Sequence, residues 1–151
     1  MNILRIFTKN SLIKISIYSC VIFISLFMIY SGFTKVIDIY QFINNLSYYK
    51  YIPESFQIVI GIGIPIIEIL IGIGILNKHF RDKAVDCYLV TIIIFICVLL
   101  LHYGSYMPQG CGCFGVSKGE TINYLMILRD LLFLIPCLLY KFLNNLRIGL
   151  I

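Results

Sequence analysis

The strongest chemical signal in this chain of 151 residues is Cys111-Gly112-Cys113-Phe114-Gly115, preceded by Pro108 and Gly110. Two cysteines one residue apart can close a small disulfide ring. Extended backbone puts their Cα atoms near the upper limit for a bridge, and a turn at Gly112 brings them into range. Such a ring would keep some strain, and strained bridges exchange more readily. The functional reading is therefore an exchange-active disulfide at Cys111 and Cys113. Two alternatives stand beside it: a structural bridge that pins the loop, or soft metal ligands completed by His102. A closed zinc site wants four ligands, which argues against metal. The other cysteines are poor relay partners: Cys20 and Cys87 fall near helix ends, while Cys97 and Cys137 lie in apolar runs, where cysteine behaves as a small hydrophobe.

A second signal is a set of charges inside otherwise apolar runs. Ionisable groups in a membrane are costly and usually face the bundle interior in pairs. Glu68 shares a helical face with Gly61, Pro65 and Gly72, a face small enough to pack tightly against a neighbour. At 1.5 Å per residue, Glu68 is expected about 18 Å below the outer surface and Arg129 roughly 10 Å below it. A long arginine side chain would bridge much of that difference. Asp130 points about 100° away from Arg129 on a helix, so Lys35 is its expected partner, with Asp38 the local alternative for that lysine. These charges read either as ties between helices or as a polar, proton-handling layer behind the cysteine loop.

The composition says which elements must position these residues. Hydrophobic residues make up 60% of the chain and charged residues 13%, against roughly 45–50% and about 25% in soluble domains. Disorder is excluded, and so few charges cannot cover a small water-soluble fold. Four runs, 15–34, 56–76, 84–102 and 123–142, have the length of a membrane-spanning helix. The fold class expected is all-α: one polytopic membrane four-helix bundle over residues 1–151. The repeated Ile-Gly-Ile-Gly-Ile at 60–64 and 71–75 reads as a helix-packing seam.

Basic residues orient the bundle. With an inside N-terminus, Arg5, Lys9, Lys14, Lys78, Arg81, Lys83, Lys141 and Arg147 lie inside, and Lys35, Lys50 and Lys118 outside. The positive-inside rule then places both termini in the cytoplasm, N-in/C-in, with loops 34–55 and 102–123 outward. Their tyrosines suit an interfacial belt. Ile39, Phe42, Ile43 and Leu46 recur at helical spacing, which predicts a short interfacial helix in the first outer loop. The first run is long for a signal peptide and no A-x-A-like cleavage site follows, so it reads as a retained helix. The scattered basic residues form no phosphate-tracking stripe, so nucleic acid is not an expected partner.

In this frame the residues resemble the methylamine utilisation protein MauE family. Ser31-Gly32-Phe33-Thr34-Lys35 with Asp38, Pro65 with Glu68 and Gly72, Cys111-Gly112-Cys113-Phe114-Gly115, and Arg129-Asp130 are similar to its signatures, in the same order. The resemblance covers roughly residues 15–143 and places the chain among DoxX-like four-helix membrane proteins. It implies an inner-membrane protein that assists maturation of a disulfide-rich methylamine dehydrogenase subunit beside a thioredoxin-like periplasmic partner. Cys111 and Cys113 would be the redox pair on the periplasmic side, with Lys35, Glu68, Arg129 and Asp130 as supporting polar residues. Quinone-linked disulfide formers and vitamin K epoxide reductase relay electrons through two cysteine pairs. Only one outer pair is present here, so a quinone cofactor is not expected to complete a cycle within this chain.

The leading expectation is a thiol–disulfide or electron-transfer component of the inner membrane. A non-enzymatic assembly factor with a structural Cys-Gly-Cys knuckle is the alternative. A solute carrier is disfavoured, since no pair of broken helices is evident. In a cysteine-free background, single cysteines replacing Lys50 and Lys118 are expected to react with an impermeant maleimide from outside, and one replacing Arg81 is not. Labelling of position 81 from outside would reverse the topology.

Overall fold

The structure, a computed structural model, describes residues 2–49, 52–108 and 119–148. Four long helices make up most of the chain: α1 (Asn2–Ile37), α3 (Glu54–Leu76), α4 (Arg81–Leu101) and α5 (Tyr124–Ile148), with the eight-residue α2 (Ile39–Leu46) between the first two. α1 starts well before the apolar run because no proline or glycine occurs between Asn2 and Lys14 to stop it. Three stretches, Leu12–Ile37, Glu54–Leu76 and Arg81–Leu101, are long and apolar enough to cross a membrane. α5 matches them in length at 25 residues, but carries Arg129, Asp130 and Lys141.

Neighbouring helices run antiparallel. Ser25 meets Gly72 while Lys35 meets Glu68, so α1 and α3 read in opposite directions. Tyr88 meets Phe133 and Asp82 meets Tyr140, so α4 and α5 do too. α1 packs on α3 and α5, and α4 packs on α3 and α5, which closes a four-helix ring with α3 diagonal to α5. Large apolar side chains face outward all round it, among them Leu26, Leu70, Ile94 and Leu132. A soluble monomer does not expose apolar surface on this scale. The chain is an all-α polytopic membrane protein.

The α1–α3 seam is the tightest. Ser25 Oγ donates to the Gly72 carbonyl at 2.8 Å. A Cβ at Gly72 would lie 2.7 Å from the Ile29 side chain and 3.0 Å from the Ser25 carbonyl. One at Gly32 would lie 2.7 Å from the Pro65 carbonyl. In lipid, where the hydrophobic effect does not drive helices together, such close backbone approach supplies the packing energy. The two glycine repeats divide this work: Gly72 meets α1, Gly61 meets Ile43 of α2, Gly74 meets Ala84, and Gly63 faces open space.

Local devices finish the ring. Arg81 Nε donates to the Ile75 carbonyl at 3.0 Å, where the last carbonyls of α3 have no helical donor. Pro136 has no N–H and disrupts the preceding turn of α5; there the Tyr88 hydroxyl donates to the Phe133 carbonyl at 2.8 Å. After α4 the chain turns at Gly104, whose φ of +79° favours glycine. It then forms an antiparallel ribbon of β1 (Tyr106–Met107) and β2 (Glu120–Thr121), with Met107 opposite Glu120.

Gly72→Ala is expected to destabilise the folded protein by about 1–3 kcal/mol, the usual cost of overpacking a closed seam. Gly63→Ala should be neutral or slightly stabilising. Denaturant titration in detergent, followed by helical circular dichroism, measures both.

Candidate functional site

Ser31 and Lys35 stand four residues apart on α1 and therefore share a face, which the seam turns toward α3. Lys35 is fully buried and ion-paired with Glu68, itself 1% exposed. Lys35 Nζ also donates to Ser31 Oγ at 3.0 Å, and Ser31 Oγ donates to Glu68 Oε2 at 3.3 Å. The three groups close a triangle. Phe42 of α2 and Phe95 of α4 place their ring centroids 5.7 and 5.1 Å from the ammonium, near enough for both ring faces to favour the cation. Taking two charges out of water costs several kcal/mol each, and a buried pair survives only when its remaining hydrogen-bonding capacity is met. Ser31 and the two rings meet it here.

On α5, Arg129 pairs with its neighbour: Nε and Nη2 both lie 3.1 Å from Asp130 Oδ1. Asp130 points inward and is buried, while the Arg129 side chain is 36% exposed. The layer thus holds two cations and two carboxylates and is neutral as a whole. Glu68, Asp130 and Ser31 border one cavity of about 10 Å³, with Phe27, Met28, Ile92 and Phe95 completing its walls. A second, apolar chamber of about 210 Å³ lies beneath α2, lined by Phe42, Leu46, Tyr49, Ile60, Phe95 and Leu99 among others.

The expected pairing of Glu68 with Arg129, and of Asp130 with Lys35, is corrected. The ring makes α1 and α3 neighbours and α3 and α5 diagonal, so Lys35 reaches Glu68 directly and Arg129 would have to cross the core. The 100° between consecutive helical residues separates Cα directions, but a long guanidinium side chain folds back across that angle. Asp38 precedes α2, where it makes no side-chain capping bond.

Above the charged layer sits a cluster of Phe42, Leu46, Tyr49, Leu99, Met107, Ile122 and Met126. It joins α2 to the base of the second long loop. Met126 and Asp130 are one turn apart on α5, so loop base and charged layer share a helix face. Gly104 N–H donates to the Ile122 carbonyl at 2.9 Å, and Ile122 N–H to the Ser105 carbonyl at 3.0 Å. His102 is buried there; its Nδ1 lies 2.9 Å from the Val98 carbonyl, which makes Nδ1 the protonated nitrogen. Its ring meets Tyr49 edge-on at 5.0 Å. Cys111 and Cys113 lie outside the described residues. The four described cysteines, Cys20, Cys87, Cys97 and Cys137, are free thiols, and no group of three potential metal ligands converges among the described residues.

Sequence reasoning missed Ser31, Phe42 and Phe95 as the surroundings of Lys35. The i to i+4 spacing of Ser31 and Lys35 was the one legible sign, since aromatic residues are abundant throughout. It also missed the opposite end of the ring, where the Tyr140 hydroxyl donates to Asp82 at 2.5 Å and Lys141 pairs with Asp86.

Residues 12–143 match the family model described as methylamine utilisation protein MauE, which takes in every residue of the charged layer. The chain belongs to the MauE family. Among curated proteins it is similar to the methylamine utilization protein MauE of Paracoccus denitrificans, 20% identical over 111 residues. That match covers 73% of this chain and 60% of the relative, so the chain spans less than two thirds of its length. No solved structure gives a significant match. The family assignment agrees with the multi-pass membrane architecture, and the charged residues of the resemblance, Lys35, Glu68, Arg129 and Asp130, occupy one layer of the fold.

Lys35→Met strips Glu68 of its partner and is expected to cost about 3–5 kcal/mol, as loss of one member of a buried pair does. Adding Glu68→Gln should recover a large part of that loss. Equal and independent losses in the double-mutant cycle, read from unfolding in detergent, would contradict the contact.

Proposed function

We propose that this MauE-family protein is a thiol–disulfide component of the bacterial inner membrane that serves maturation of a disulfide-containing protein in methylamine utilisation. Cys111 and Cys113 are the exchanging pair, and a thioredoxin-like periplasmic protein is the partner. The observation that carries the reading is where the second loop is rooted. The β1–β2 ribbon and the cluster of Met107, Ile122 and Met126 hold the two ends of segment 108–119 together over the charged layer. A base anchored in the bundle lowers the ordering cost of bringing residues 108 and 119 to a partner at the membrane surface.

The exchange balances with a partner disulfide as oxidant. One thiol of the pair loses its proton and attacks a partner sulfur, and the partner's other sulfur leaves as thiolate. The second thiol, also deprotonated, then resolves the mixed disulfide. Two electrons and two protons pass to the partner, and Cys111 and Cys113 end bridged; the reverse sequence reduces them. Lys35 and Glu68 support this by holding α1 and α3 in register beneath the loop, and Arg129 and Asp130 complete the polar layer from α5.

The complete sealing of Lys35 and Glu68 favours the assembly-factor alternative, because a fully paired, buried layer is also what a structural tie looks like. Cys111→Ser and Cys113→Ser separate the two readings. The thiol–disulfide reading expects both variants to accumulate like the parent while maturation of the client stops, and one of them to trap a mixed disulfide with a periplasmic protein. Loss of folded protein in both, with no trapped adduct, would leave the assembly factor.

A further inference from the structure

Three cations gather where α3 ends. Arg81 reaches back over the last turn: its Nε donates to the Ile75 carbonyl at 3.0 Å and its Nη2 to the Leu76 carbonyl at 3.4 Å. The same guanidinium lies 5.9 Å from the Tyr18 ring of α1. Lys14 is one turn from Tyr18 on that face of α1, and Lys78 lies two residues past the end of α3; both are exposed.

No carboxylate answers them. The chain carries seven acidic residues, and none of them precedes Asp38. The acids at this end of the bundle are Asp82 and Asp86, and both turn to α5: Asp82 accepts from the Tyr140 hydroxyl, and Asp86 pairs with Lys141. Lys14, Lys78 and Arg81 form no ion pair with any described residue. The carbonyls that Arg81 holds carry the partial negative charge of a helix C-terminus, about half an elementary charge, which offsets only part of three positive ones.

The surface leading away from these cations toward the midplane is apolar. Leu76, Ile73 and Ile66 are exposed along one face of α3. Ile69 on the same face lies against α1, where a Cβ at Gly32 would come within 2.7 Å of it, so the stripe is on the flank that Tyr18 shares. From Leu76 to Ile66 is ten residues, about 15 Å at the helical rise, which is half the hydrocarbon thickness and so the depth of one leaflet.

We propose that this corner binds one anionic phospholipid, its phosphate shared by Lys14, Lys78 and Arg81 and one acyl chain along Leu76, Ile73 and Ile66. Charge selects the head: ammonium and guanidinium donors without a carboxylate suit phosphate oxygens, and their excess charge favours a lipid with net negative charge over a zwitterionic one. Position selects a lipid over a soluble anion, because the cations stand at the end of helices long and apolar enough to cross a membrane. By the basic-residue topology this is the cytoplasmic leaflet.

The chain contains no tryptophan, so one introduced indole reports a single place. Ile73→Trp puts it on the stripe. Leu138→Trp puts a control on the exposed side of α5 near the same end, beside the Lys141–Asp86 pair. Each variant is reconstituted in phosphatidylcholine vesicles containing increasing fractions of brominated phosphatidylglycerol or brominated phosphatidylcholine. At Ile73→Trp, phosphatidylglycerol is expected to quench at about a tenfold lower fraction than phosphatidylcholine, since each basic residue near the surface confers about fivefold at most. At Leu138→Trp the two lipids should quench alike. Combining Lys14→Gln with Lys78→Gln should remove most of the preference with helical content unchanged. Lys83→Gln should leave it intact, because Lys83 is two residues, about 200°, round α4 from Arg81. Equal quenching at Ile73→Trp, or a preference that survives the double substitution, would overturn the proposal. A loss with Lys83→Gln as large as with the double substitution would mean diffuse attraction and overturn it too. So would relief of quenching by inorganic phosphate beyond that by chloride at the same ionic strength, which would assign the cations to a soluble anion.

Discussion

A lysine and a glutamate, both out of reach of solvent, sit against each other between two helices, and much of the architecture follows from keeping them there. Each charge alone would be costly in this interior; together, with Ser31 between them, they are tolerable. Tolerance requires α1 and α3 to approach closely, and Gly32 and Gly72 allow that approach. It also requires a defined register. Ser25 on the Gly72 carbonyl and Lys35 on Glu68 are two polar pins on one seam. A slip by one turn would take Lys35 away from the Glu68 carboxylate.

The same logic gives the bundle unlike ends. At the α2 end Lys35, Glu68 and Asp130 are buried and, with the half-exposed Arg129, form the polar layer. At the α3–α4 turn, Tyr140–Asp82 and Lys141–Asp86 lie nearer solvent, with the Lys141 and Asp86 side chains 42% and 58% exposed. Between them an apolar slab of Ile17, Val21, Ile24, Met28, Ile75, Val85, Tyr88 and Ile92 is filled by side chains alone. An exposed ion pair contributes little and tolerates substitution; a buried one does not. The chemically consequential end is therefore the one beneath the second loop. There α2, the β1–β2 ribbon and the first turn of α5 converge on one cluster, so the loop is rooted in the bundle rather than hung from it.

Much of this was legible from residue order. The apolar runs, the short helix at 39–46 and the packing face of Gly61, Pro65, Glu68 and Gly72 all follow from hydropathy and helical period, which are local properties. The residues of the polar layer were legible as well, because an ionisable group in an apolar run is conspicuous. Their partners were not. Helical phase says which way Glu68 points along its own axis, but not which helix lies in that direction.

What the sequence determined by itself is the class of molecule: a membrane-embedded, all-helical chain whose few internal charges must be paired and whose paired thiols at Cys111 and Cys113 stand apart from the rest. The tertiary structure decided who meets whom. It placed α3 beside α1 and diagonal to α5, and so joined Glu68 to Lys35 instead of Arg129. It also paired Arg129 with Asp130, its neighbour on α5. The physical reason is that burial and periodicity are encoded residue by residue, whereas pairing depends on the order of helices around the ring. That order is set by the summed packing of every seam, chiefly the close glycine contacts of α1 with α3, and no single stretch of sequence contains it.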